Sequence, residues 1–291
     1  MTPEEQLEIY ACALVLLRSS HHALDEVAQR IAEHSGELLP LLTLAGTQDD
    51  DAARSVLTAI VAAATARAAG ADEAAQGTIT RAALGLDAGR ARLARAAGID
   101  LSAFHQLPDA LDALVPAANA AAGFAAPRVD GSVLATLSYE AAWLERAARL
   151  GDLHQGALMP LVASQLLFLA HTFVDRIAPR TGERRSPAEA LGELLMLPDT
   201  DEALLVAMVR ALGPLPVGTV VELEDGSWAV VSQPASWERA LSPEVRVVAS
   251  PDGHALPTPE LRTGVTVRRA LAPAQARFNP ARAFFAVVSD T

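Results

Sequence analysis

The feature that most constrains the fold of this chain is a change in its sequence pattern at Pro214. Before that point, apolar residues recur at helical spacing, Ala and Leu dominate, and several segments open with a capping residue and end at a glycine. After it, Val, Thr, Trp, Gly and Pro become frequent, which is typical of short strands and turns. The sequence therefore predicts helices as far as Gly213 and strands beyond it.

Two helix starts carry capping boxes, in which a hydroxyl residue is followed three positions later by Glu. The first begins at Thr2 with Glu5, and the second begins at Ser186 with Glu189. Together with the apolar periodicity they predict helices over residues 3–19, 24–34, 49–69, 72–84, 88–97, 101–122, 133–150, 153–178, 187–197 and 201–212.

The C-terminal part is predicted to contain a β-hairpin. Residues 219–223 and 228–232 are rich in Val and flank Asp225-Gly226, and Asp-Gly between two such runs is a strong hairpin signal. Residues 245–249 and 265–270 are further candidate strands. A hairpin alone is marginal in water, so we expect a module of three or four strands that packs on the helices.

Charge and composition exclude several classes of protein. The chain has 291 residues and a formal net charge of −12, and all 23 of its basic residues are Arg, so we expect no nucleic-acid partner. The only cysteine, Cys12, is expected to be a buried thiol in a reducing cytoplasm. The first residues lack a basic signal region, and no apolar run is long enough to span a membrane. We therefore expect a cytoplasmic protein with no membrane partner.

Common catalytic motifs are absent from the sequence. It has no phosphate-binding glycine loop, no nucleophile elbow and no H-E-x-x-H zinc motif. His22 and His34 are twelve residues apart, which does not place two ligands on one helix face, and we interpret them as surface or capping histidines. His171 lies in an apolar run and is interpreted as a core or cleft histidine bonded to backbone or solvent.

Four segments, by their sequences and by their order and spacing along the chain, resemble the HD-GYP phosphodiesterases and related HD-domain signalling proteins. The junction after Leu212 is similar to the family's stretch following its helical domain, with a Pro-Val-Gly-Thr-Val-Val-Glu-Leu run before Gly226. The other segments are residues 82–90, 164–175 and 186–191, and the resemblance covers roughly residues 45–250.

The resemblance implies a site of two or three metal ions held by His and Asp, which would activate a hydroxide to attack phosphorus. The matching positions here are Arg54 (or Ser55), Leu86, Asp87, Ala141, Ala142 and His171. Of these six, only Asp87 keeps its ligand type, and it is equally explained as the N-cap of a helix from residue 88. We therefore expect no catalytic residues, no bound metal and no cofactor, and we leave the ligand-binding residues unassigned.

The expected fold class is mainly α, with an HD-domain-like helical bundle followed by a small C-terminal β module. The division is residues 1–45 as N-terminal helices packing on the main domain, 46–213 as a degenerate HD-GYP-like helical domain, and 214–291 as the β-rich module.

Three functions are open at this point. The first is a pseudo-enzyme that acts as a protein-binding or regulatory module in bacterial signalling, with self-association left open. The second is a cyclic di-GMP binder that does not hydrolyse its ligand, with Arg54, Arg90, Arg146 and Arg149 as candidates by position. The third is an active metal-dependent phosphodiesterase with a relocated site that uses His21, His22, His154 or His171.

Overall fold

The structure is a computed structural model that describes residues 1–19, 24–47, 51–97, 131–150, 160–198, 200–235, 237–276 and 278–285. The predicted helix over residues 101–122 lies outside these ranges. In the described part, the α-helices are α1 Pro3–Ser19, α2 Leu24–His34, α3 Asp51–Ala68, α4 Glu73–Ala97, α5 Gly131–Leu150, α6 Val162–Ile177, α7 Pro187–Leu195 and α8 Glu202–Leu212. A 3₁₀-helix, Leu39–Leu44, joins α2 to α3.

Local capping sets the ends of several helices. Both predicted capping boxes form: the Thr2 hydroxyl accepts from the Glu5 N–H at 3.2 Å, and the Ser186 hydroxyl accepts from the Glu189 N–H, also at 3.2 Å. The start of α6 is capped from a neighbouring helix, because Glu140 of α5 accepts from the Leu161 N–H at 2.8 Å. In the described part α6 begins at Val162, and residues 153–159, where the sequence predicts its first turns, lie outside the described residues.

Helix α3 lies at the centre of the helical part. Its residues from Ala52 to Ala66 are all buried, and it packs against α4, α6 and α8. Many of these residues are Ala, whose small side chain lets neighbouring helices approach closely. By contrast, Cys12 on α1 is exposed, so its prediction as a buried thiol is wrong. It lies away from the face of α1 that buries Ile9, Ala13 and Leu17.

The C-terminal part is a five-stranded antiparallel sheet. Its strands are β1 Val220–Leu223, β2 Trp228–Gln233, β3 Glu244–Ala249, β4 Ala255–Arg262 and β5 Val267–Ala270. Their order across the sheet is β4-β3-β2-β1-β5. The predicted hairpin of β1 and β2 is confirmed, with Val220 opposite Val230. The sheet buries Val221, Val231, Val245 and Val247 in one apolar cluster.

The structure is compatible with a mainly α class followed by C-terminal β structure, but the expected fold class is wrong in its C-terminal part, which is a five-stranded antiparallel sheet and not a small module of three or four strands. The strand that the sequence did not predict is β4, which contains Pro257 and Pro259. Proline removes a backbone donor and argues against a central strand, but β4 lies at the edge of the sheet, where a donor on the open side is not needed.

None of the described helices combines the length and the apolar character that a membrane crossing requires. The division of the chain at residues 45 and 213 stays a prediction. Within the described residues, one apolar cluster joins Ile9 of α1, Leu57 of α3 and Phe173 of α6 with Val217 and Phe285 of the C-terminal part.

Candidate functional site

A group of charged side chains lies buried among the helices α3 to α6. It contains Arg54 of α3, Asp87 of α4, Glu145 of α5, His171 of α6 and Arg180, which follows α6. The first four are at most 6% exposed. We refer to these five residues as the buried ionic cluster. Charged groups are rarely buried unless they are paired, so their mutual contacts decide what this site can do.

Asp87 is the centre of the buried ionic cluster. Its Oδ1 accepts from Nε2 of His171 at 3.0 Å and from Nη2 of Arg180 at 2.9 Å. Its Oδ2 lies 3.6 Å from Nε of Arg54. Burial opposes ionisation of Asp87, but the positive charges of Arg180, His171 and Arg54 outweigh it and hold the pKa of Asp87 well below its usual range. Asp87 is therefore an anion surrounded by three cations.

His171 lies between two carboxylates. Nε2 faces Asp87, and Nδ1 forms an ion pair with Glu145. Both ring nitrogens can donate only when the ring is protonated. Burial favours the neutral ring, but Glu145 and Asp87 together raise the pKa of His171 to about 9. At neutral pH the imidazolium is thus charged, and neither nitrogen is free to bind a metal or to accept a proton.

The two arginines tie the cluster to its surroundings. Arg54 donates to the carbonyl oxygen of Ala178 and forms an ion pair with Asp175, which is about one-third exposed. Arg180 donates from Nε and Nη2 to Oδ1 of Asp51 at 3.1 and 2.8 Å. Burial raises the pKa of Asp51 even though Arg180 opposes the shift. Three cations therefore face four carboxylates in and around the cluster.

The positions that the resemblance assigned to metal ligands fall into two sets. Arg54, Asp87 and His171 meet in the buried ionic cluster, although they come from three different helices. The other three positions, Leu86, Ala141 and Ala142, are buried apolar residues.

Two interpretations of single residues are wrong. Asp87 is not an N-cap, because α4 continues through it without a break and its carboxylate is used in tertiary ion pairs. His171 is a buried histidine that lines a cleft, as predicted, but its predicted partners are wrong, because both ring nitrogens face carboxylates and not backbone groups.

Glu145 and Arg180 were not predicted as site residues. A signal for Glu145 was present: it follows Ala141 by four residues, so the two share one face of α5. Arg180 opens an Arg-rich stretch that resembles a solvated loop, but its guanidinium reaches Asp87, 93 residues away in sequence. Contacts at such separation leave no periodic trace in the sequence.

A cleft of about 450 Å³ borders the cluster. Glu145, His171 and Asp175 line it on the cluster side, and Arg176 and Glu193 line it further out. These outer residues are paired with each other, Nε of Arg176 lying 2.6 Å from Oε2 of Glu193. The cleft thus has a polar wall in which the charges are already neutralised by protein groups.

The arrangement does not provide a metal site among the described residues, where no group of three or more His, Cys, Asp or Glu side chains could hold an ion. Of the histidines considered for a relocated site, His21, His22 and His154 lie outside the described residues. The side chains of Arg90, Arg146 and Arg149, considered for a cyclic dinucleotide, also lie outside them. Comparison with protein-family models, characterised proteins and solved structures gives no match.

Proposed function

We propose that this chain is a non-catalytic protein that acts as a regulatory module by binding a protein partner in bacterial signalling. The observation that carries the proposal is the buried ionic cluster. Where the resemblance would place metal ions, Arg54, Arg180 and His171 supply positive charge from the protein itself.

The charge arrangement opposes the binding of a divalent ion. Asp87 is the carboxylate that a metal would need, and it already faces two guanidinium groups and one imidazolium within 3.6 Å. A metal ion would be a fourth cation beside Asp87 and would be strongly repelled in a buried site, where the effective dielectric constant is well below that of water. The same cations stabilise the fold, because an unpaired buried carboxylate would be costly.

The convergence of Arg54, Asp87 and His171 supports the resemblance at the level of these positions. They are separated by at least 33 residues, and His171 and Asp87 by 84. We therefore propose that the chain is related to the HD-GYP phosphodiesterases. At the position of the lost metal site, Asp87 is neutralised by ion pairs with protein cations. Partner binding is the function that such a scaffold would retain after hydrolysis is lost.

The test is elemental analysis of protein purified without chelator from medium supplemented with Mn, Fe, Ni and Zn. We expect substoichiometric metal and no hydrolysis of bis-p-nitrophenyl phosphate. A matched variant, Arg54→His/Leu86→His/His171→Asp, returns His and Asp to three of the positions, and metal uptake by this variant alone would support the proposal. One metal equivalent or more in the wild-type protein would refute it. Saturable binding of cyclic di-GMP in calorimetry would instead favour the dinucleotide hypothesis.

A further inference from the structure

A second cleft lies where the helical part meets the sheet, and no residue of the buried ionic cluster lines it. Its walls come from the 3₁₀-helix Leu39–Leu44, the end of α6, the loop before α7, strand β1 and the segment after β5. Its volume is about 480 Å³, within the usual range for small-molecule sites, which are often found between structural units. We refer to it as the interface cleft.

The described residues that line the interface cleft give it an unbalanced positive charge. Among the described residues that line it there are two arginines and no Asp or Glu. Arg185 is neutralised by Glu193 and Glu183, with Nε 2.8 Å from Oε1 of Glu193. Arg184 has no carboxylate within ion-pair distance in the described part of the chain. A guanidinium keeps its charge under all ordinary conditions, so Arg184 presents a cation that no carboxylate of the described residues neutralises.

The guanidinium of Arg184 is held in a fixed orientation by main-chain groups. Nε donates to the carbonyl oxygen of Ile177 at 3.0 Å, and Nη2 donates to that of Ala45. Desolvation lowers the pKa of Arg184, although part of the side chain stays open to solvent. Gly46 makes room for the group: its φ is +71°, and a Cβ there would meet the guanidinium at 2.7 to 2.9 Å. Nη1 has no acceptor among the described residues.

The other polar groups of the interface cleft use part of their hydrogen-bonding capacity within the protein. The hydroxyls of Thr43 and Thr47 donate to the carbonyls of Pro40 and Leu44 at 2.6 and 2.7 Å, so their oxygens are left to accept. The Asn279 Oδ1 accepts from a backbone N–H at 3.0 Å, so its amide hydrogens are left to donate.

The remaining wall is largely apolar. Leu42, Leu271 and Phe278 line the interface cleft together with three prolines. A site with one oriented cation, a few convergent polar groups and an apolar wall matches an amphiphilic anion, because the charge fixes orientation and the apolar surface contributes affinity.

We propose that the interface cleft binds a small organic anion, a carboxylate or phosphate ester carried on an apolar or aromatic body. The anionic group would accept from Nη1 of Arg184 and from the Asn279 amide, and the body would pack against Phe278 and Leu271. This site goes beyond partner binding, because it does not involve the buried ionic cluster.

The test uses 8-anilinonaphthalene-1-sulfonate as a fluorescent anion and N-phenyl-1-naphthylamine as its uncharged counterpart. We expect one saturable site for the sulfonate, with an affinity that falls as salt rises. Arg184→Gln should weaken sulfonate binding about tenfold, the loss typical of one charge-assisted hydrogen bond, and should leave the neutral probe unchanged. Arg239→Gln removes an exposed arginine elsewhere and should change neither.

A second variant keeps the test decisive if Arg184→Gln folds poorly. Ala276 lines the interface cleft, and Ala276→Trp should fill it and weaken both probes. Displacement of the bound sulfonate by 2-naphthoate or by 2-naphthyl phosphate, but not by 2-naphthol, would then separate a carboxylate from a phosphate ligand. Equal sulfonate affinity in the wild type, Arg184→Gln and Ala276→Trp would overturn the proposal, as would binding at many equivalent sites.

Discussion

Replacing Asp87 with Asn removes the central negative charge of the buried ionic cluster while keeping the size of the side chain. Three cations, of Arg54, His171 and Arg180, would then lose their common partner at 2.9 to 3.6 Å. Breaking a buried ion pair by removing one member costs about 3–5 kcal/mol, a large part of the roughly 5–15 kcal/mol by which a typical domain is stable.

Urea denaturation followed by circular dichroism measures this loss. With a slope near 3 kcal/mol per molar urea, the Asp87→Asn midpoint should fall by about 1–1.7 M. The matched control is Asp25→Asn, which removes an acid that pairs with Arg81 at 3.0 Å but is half exposed. Exposed pairs contribute up to about 1 kcal/mol, so its midpoint should fall by at most about 0.3 M.

Equal midpoint shifts in the two variants would refute the view that the cluster is held together electrostatically. A double-mutant cycle with His171→Gln sharpens the test. Because His171 and Asp87 are in direct contact at 3.0 Å, their coupling free energy should exceed about 0.5 kcal/mol. Additive effects within error would mean that the two residues act only by filling space.

Three further predictions concern single residues. Because the pKa of His171 is raised from 6.5 to about 9 in the folded protein, its contribution of about 3 kcal/mol should be complete below pH 6.5 and lost as pH rises through 9. Urea titrations at pH 6, 8 and 9.5 should show this decline, and His171→Gln should remove it. Ser186→Ala should lower the melting temperature of the protein by about 2–4 °C, because it removes the N-cap of α7 and costs about 1 kcal/mol. Gly213→Ala should cost about 1–3 kcal/mol in chemical denaturation, because φ is +78° and a Cβ would meet Pro234 at 3.1 Å. Gly192→Ala, within α7 and with open space around it, should be neutral or stabilising, and the reverse order of these two glycine variants would contradict the reasoning.

Elements whose ends are set by neighbouring residues were predictable from the sequence. The capping boxes at Thr2 and Ser186 and the Asp225-Gly226 turn use groups within three residues of each other, and each forms as predicted. Elements that depend on distant partners were not. The sequence predicts a helix break before residue 88 because Asp87 resembles a cap, but Arg180 and His171 provide its partners and α4 continues.

The candidate site was predictable only at the positions that the resemblance singled out. Arg54, Asp87 and His171 were selected as places where metal ligands are missing, and the structure brings these three together. The sequence could not show which residues pair with these three. Nothing in it distinguishes Glu145 and Arg180 from other acidic and basic residues, and only the fold brings them within hydrogen-bond distance. Whether a charged residue lies on the surface or in a salt-bridged core is decided by tertiary contacts.

Among the described strands, β4 and β5 form the two edges of the sheet, and each pairs with a strand on one side only. An exposed edge strand is a template for pairing with a strand of another molecule. On β4 the residues Pro257 and Pro259 interrupt the row of backbone donors, and on β5 the charged side chains Arg268 and Arg269 are exposed. Both are features that hinder strand-to-strand growth, so this valine-rich sheet is protected against forming a continuous sheet with its neighbours.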